Sequence, residues 1–223
     1  MSADARSARI GASPTPFGHR GPVQGTPKLA RVEAYLSSLP GGASAYPDCQ
    51  AKGILVRTLA AEQGIGVVST RLPEPFRSLL EELPVGSEWV PEVHYLALIY
   101  VLADANGLGD EAILAGVRDR HRRMFESPTY RLLMAGASPG ALVRGAGLRW
   151  ANWHRGSTLE VEGIADDGVR LALKFPPGIF DGLHLRVFAE AFLAALDVSR
   201  ARSPRAEIVE GGASLARYRV TWE

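Results

Sequence analysis

The spacing of apolar residues divides this chain into a helical first two-thirds and a strand-rich last third. Leu29, Val32, Leu36 and Leu39 recur every three to four positions and stop at Pro40-Gly41-Gly42, which predicts a short helix over Lys28–Leu39. Ile54, Val56 and Leu59 lie inside Cys49–Gln63, a segment that Asp48 is placed to cap as a helix, although Gly53-Ile-Leu-Val56 is also strand-like. Leu72–Leu83 reads as helix and stops at Pro84-Val-Gly86. Pro91–Asn106 is the most apolar helical segment, with Val93, Leu96, Ala97, Tyr100, Val101 and Ala103, and Gly107 and Gly109 end it. Asp110 caps the next helix, Glu111–Phe125, where Ile113, Leu114, Val117 and His121 share one face. Short helices are expected over Thr129–Ala135 and Pro139–Gly145.

After residue 145 the period shortens to two. Leu148–His154 and Thr158–Ile164 are strand-like, and Val169–Phe175 alternates apolar with other residues across an Asp166-Asp167-Gly168 hairpin turn. Pro176-Pro177-Gly178 breaks the sheet, Ile179–Leu196 is a long amphipathic helix, and Ala206–Glu210 with Leu215–Trp222 forms a second hairpin across Gly211-Gly212. Helices first, then three strands, a helix and two strands, make an α+β fold with a mostly antiparallel sheet.

The first 27 residues change the picture. Pro14, Pro16, Pro22 and Pro27 mix with Gly11, Gly18, Gly21 and Gly25, too little apolar surface to offset ordering entropy. The expected organisation is therefore a disordered tail over 1–27, a short helix and linker over 28–45, and one α+β domain over 46–223. Charge excludes two partner classes: 25 Lys and Arg against 24 Asp and Glu give a net +1, no field for nucleic acid, and no apolar run reaches the length of a membrane span. No apolar signal segment opens the chain and Cys49 is the sole cysteine, so a cytoplasmic, disulfide-free protein is expected.

Candidate chemistry is sparse. Neither a dinucleotide fingerprint nor a phosphate loop occurs, the five histidines form no ligand spacing, and no serine or cysteine stands in a nucleophile context. His121, among arginines, reads as solvated. His94 and His184 stand near helix starts, and His154, in Trp150-Ala-Asn152-Trp153-His154-Arg155, reads as a strand edge and is the best of the poor catalytic candidates. Arg118, Arg120, Arg122 and Arg123 form a cationic stretch that is a candidate docking surface for an acidic partner, against the ordinary reading of a solvated face. No metal, cofactor or catalytic residue is expected.

Three stretches carry a family resemblance: Gly53-Ile-Leu-Val56, the breaker and helix of Pro177–Leu196, and the ending Arg205-Ala-Glu-Ile-Val-Glu210 with Ala216-Arg-Tyr218-Arg-Val220-Thr-Trp222. Over residues 46–223 the chain resembles a paralogous domain family of unknown function expanded in myxobacteria. That family is in turn similar to the heme–nitric-oxide-binding and 4-vinyl-reductase-like domains and to TRAPP tethering-complex subunits. The resemblance implies a heme axial histidine near Arg144 and a Tyr-x-Ser-x-Arg propionate clamp at Phe175, Pro177 and Ile179; none of the residues matches, and the vinyl-reductase cysteine cluster is missing. Heme loses both anchors.

Two functions rank above a third, an enzyme using His154 with an Asp or Glu partner. One is a non-catalytic regulatory or scaffolding module contacting a protein partner or itself as a homodimer, with Tyr95, Leu98, Ile99 and Leu102 as an available apolar layer. The other is a sensor holding an apolar small molecule between helices and sheet, with Leu98, Leu102, Phe125, Trp150, Trp153 and Phe180 as candidate lining.

Overall fold

A computed structural model describes residues 29–61, 72, 74–128, 130, 138–199 and 201–223. The expected tail over 1–27 and most of the expected Thr129–Ala135 helix lie outside these residues. The helical part comprises α1 (Ala30–Ser38), α2 (Gly53–Ala60), α3 (Phe76–Glu81), α4 (Glu92–Asn106), α5 (Asp110–Glu126), α6 (Pro139–Arg144) and α7 (Ala146–Ala151). The sheet-forming strands β4 (Thr158–Ala165) and β5 (Gly168–Lys174), helix α8 (Gly182–Asp197), and strands β6 (Arg205–Gly211) and β7 (Leu215–Thr221) complete the chain.

These last strands form one antiparallel sheet in the order β4-β5-β7-β6, as the two hairpin signals require. Ala216, Tyr218, Val220 and Trp222 point into the core while Arg217 and Arg219 pair across strands with Glu162 and Glu207 on the outer face. Helix α8 covers the inner face; Phe192 meets the Tyr218 ring edge-on at 5.2 Å, and the Tyr218 hydroxyl donates to the Leu185 carbonyl at 3.1 Å. Asp181 caps α8, accepting from the amides of Leu183 and His184 at 3.0 Å each.

A second sheet was not expected. Strands β1 (Gln50–Lys52), β2 (Trp89–Pro91) and β3 (His154–Arg155) pair antiparallel in the order β2-β1-β3. They tie the start of α2, the start of α4 and the end of α7 to one point.

Helix α4 is the centre of the helical layer. Between Val93 and Ala103 every residue except His94 is buried, because a helix apolar on all sides must be covered on all sides. Tyr95, Leu98, Ile99 and Leu102 are therefore core, at 6% exposure or less, and do not form a free interface. Gly107 ends the helix with φ +60, a left-handed turn that favours glycine.

The strand expected over Leu148–His154 is a helix up to Ala151, followed by only two residues of β3. The reason lies at Gly147, where a Cβ would fall 2.6 Å from the Leu159 carbonyl oxygen. The missing side chain lets α7 rest directly on β4, and tertiary packing overrides the local apolar alternation.

Candidate functional site

Helices α5, α6, α7 and α8 and the sheet leave a partly open cavity of about 160 Å³ between them, with Leu142 and Val143 as the α6 contribution. Helix α5 supplies His121, Met124 and Phe125; α7 supplies Arg149 and Trp150; α8 supplies Val187, Phe188, Ala191 and Ala195. Leu159, Val169, Leu171 and Val220 of the sheet form the floor, and Trp153, His154 and Tyr95 close the remaining side. The walls are overwhelmingly apolar and aromatic.

One polar cluster borders this space. Glu92, the first residue of α4, is 1% exposed and holds His154, 8% exposed: Nδ1 of the imidazole lies 3.0 and 3.1 Å from the two carboxylate oxygens. A carboxylate only accepts, so Nδ1 carries the shared hydrogen. Trp150 stacks on the His154 ring, with centroids 4.1 Å apart at 20°, and its indole N–H donates to the Ser157 hydroxyl at 3.0 Å. Phe188 meets both rings edge-on, 5.0 Å from Trp150 and 5.7 Å from His154. These contacts fix the Glu92–His154 pair rigidly against the cavity wall.

His121 borders the same space from α5. The Val117 carbonyl, one turn earlier, accepts from Nδ1 at 2.9 Å, so the neutral ring presents Nε2 as an acceptor. Burial pushes this imidazole down to about 4, and the neighbouring Arg120 cation acts in the same direction, so the ring is neutral at pH 7. The expectation of a solvated His121 is thus wrong: the ring continues the Ile113–Leu114–Val117 face inward.

The residues singled out from sequence separate clearly. Phe125, Trp150 and Trp153 line the cavity, whereas Leu98 and Leu102 are packed within α4's surroundings. Phe180 lies one ring behind the wall, 4.8 Å from Phe188 and 4.9 Å from Phe175. Three of the four arginines reach the surface, Arg122 and Arg123 exposed and Arg118 half-buried. Arg118 makes a two-pronged pair with Asp197 of α8 at 2.8 and 2.9 Å, Arg120 is buried, and Arg122 and Arg123 both pair with Asp119.

Outside the cavity, the other described histidines and the cysteine are enclosed by the fold. His94 Nε2 sits 3.2 Å from the Ala43 carbonyl, and His184 is fully buried beside Asp181, Tyr35 and Tyr100. Cys49 is 3% exposed and burial pushes its thiol up to about 11, which leaves almost no thiolate at neutral pH. Among the described residues no group of three or more His, Cys, Asp or Glu could hold a metal ion, and no helix is long and apolar enough to cross a membrane.

Compared with known proteins, the sequence matches no family model and no curated protein. The structure is similar to H-NOX domains. An oxygen-binding H-NOX domain related to soluble guanylate cyclases, in its oxygen complex, superposes with a TM-score of 0.55 at 13% identity, over 77% of this chain and 92% of that one. An unliganded Fe(II) H-NOX variant from K. algicida gives 0.55 at 10% identity, over 77% and 96%. A T. tengcongensis H-NOX variant gives 0.53 at 13%, over 77% and 94%. The chain has the H-NOX fold.

That fold implies heme, and the residues here do not fit it. A cavity of about 160 Å³ matches the space that takes a single benzene, about 150 Å³. A porphyrin brings four pyrroles and two propionates. At the clamp positions Phe175 and Ile179 are buried apolar core, 6% and 0% exposed. Arg149, the sole cation among the described lining residues, already donates to the Leu142 carbonyl at 2.8 Å.

Proposed function

We propose that this domain is a non-catalytic sensor that takes a small apolar ligand, one aromatic ring or two fused rings, into the space between α5, α7, α8 and the sheet. The observation that supports it is the cavity itself. Protein interiors are close-packed, and a pocket of about 160 Å³ walled almost wholly by apolar side chains keeps that apolar surface from burial unless a guest covers it. Trp150, Phe188 and Phe125 offer ring faces and edges, which suit an aromatic guest.

Occupancy has a route outward. Helices α5 and α8 both line the space and are fastened to each other by the Arg118–Asp197 pair, so a ligand that spreads or draws together their inner faces moves their outer faces too. A protein partner, or a second copy of the chain, would read that change.

Thermal denaturation in the presence of small-molecule sets tests the reading. Toluene and indole are expected to raise the melting temperature in a concentration-dependent way. Sugars and amino acids of similar mass are expected to leave it unchanged. Equal, null responses to all apolar aromatics would overturn it.

A further inference from the structure

The cavity is not uniformly apolar, and the exception specifies its guest. His121 and His154 both border it and both are 8% exposed. Each imidazole uses Nδ1 on a protein group, the Val117 carbonyl for His121 and the Glu92 carboxylate for His154. Nε2 of either ring has no hydrogen-bond partner among the described residues. Both atoms remain accessible, unlike the sealed Nδ1 of His184, so a guest that displaces water from them without replacing its hydrogen bonds is disfavoured.

Resting on the sensor reading, we propose that the ligand is a hydroxylated aromatic ring, a simple phenol, whose hydroxyl donates to Nε2 of His121 beside His154 while the ring lies among Trp150, Phe188 and Phe125. The donor direction is fixed by His121. Its Nδ1–H is committed inside its own helix, so Nε2 has only a lone pair to offer. A hydroxyl is favoured over a ring N–H because, after giving its one hydrogen to His121, its oxygen keeps lone pairs and can still accept. A carboxylate ligand is disfavoured: it has no hydrogen to give His121, and Glu92 already places a carboxylate behind His154.

Titration calorimetry on the full chain at pH 7 tests this with three probes of nearly equal size: p-cresol, 4-methylanisole and toluene. The expectation is that p-cresol binds roughly tenfold tighter than toluene, which corresponds to 1.4 kcal/mol. The anisole keeps the oxygen but has no hydrogen to donate, and is expected to bind no better than toluene. In His121→Leu the p-cresol advantage should vanish while toluene still binds. Toluene binding as tightly as p-cresol would overturn this inference and leave the sensor reading intact. An anisole that matches p-cresol would do the same. No binding of any of the three would remove the sensor reading and this inference with it. The three-probe comparison on the unmodified chain decides the matter even if His121→Leu does not fold.

Discussion

Glu92 and His154, 62 positions apart, meet in the interior with the imidazole Nδ1 3.0 Å from a carboxylate oxygen. The contact joins the first turn of α4 to β3, and β1 pairs with both β2 and β3 on either side of it. The helical layer and the short sheet are therefore locked at the place where the cavity wall begins.

The pair predicts an asymmetric mutational response. His154→Leu leaves Glu92 as an uncompensated charge at 1% exposure and should destabilise by about 3–5 kcal/mol in urea denaturation. Replacing both, with Glu92→Met added to His154→Leu, should recover most of that loss, since an apolar pair of similar volume is often neutral. A double variant as unstable as the single one would show that the pair does more than neutralise itself.

Filling the space should trade binding for stability. Ala191 and Ala195 face it from α8. Ala191→Leu adds three carbons to an apolar void and should raise stability by about 1–2 kcal/mol while abolishing the thermal response to toluene. Differential scanning calorimetry with and without toluene reads both effects.

Stability should fall on acidification through a defined window. The folded His121 titrates near 4, below its ordinary 6.5, because burial opposes the charge. Between those values the unfolded chain takes up a proton that the folded chain refuses, so stability is full above pH 6.5 and declines toward pH 4. For His121 alone the decline is about 3 kcal/mol. His94, also held low by burial, adds to it in the same sense, whereas Glu190, pushed up by burial, opposes it. The Asp181 carboxyl is held low, and its contribution is lost only below the ordinary carboxylate range, outside this window. Comparing unfolding free energies at pH 7 and pH 4.5 in the parent and in His121→Leu isolates the term; the variant should show the flatter dependence.

How much of this was legible in the sequence depends on how local the cause is. The two C-terminal hairpins, α8 and the buried α4 follow directly from period and turn residues, because nothing distant competes with them. Alternation over Leu148–His154 is a local signal that puts Trp150 on a strand, while the close approach of Gly147 to Leu159 is not local. The arginine neighbours of His121 mask its spacing from Val117 and Ile113, which puts it on the apolar face. Arg120, buried on the same helix, shows that charge content is a poor guide to which side of α5 faces water. Glu92 left only a faint mark, a carboxylate opening the most apolar helix of the chain, and its partner could not be named without the fold.

The proposed function requires that the space bordered by Trp150, Phe188 and Phe125 be a binding site and not a packing fault. A crystal structure of the protein soaked in toluene tests it directly. The expected result is one ordered ring in contact with Trp150, Phe188 and Phe125, with the Glu92–His154 pair undisturbed. A collapsed interior, with Phe188 or Trp150 swung into the space and no guest density, would contradict it.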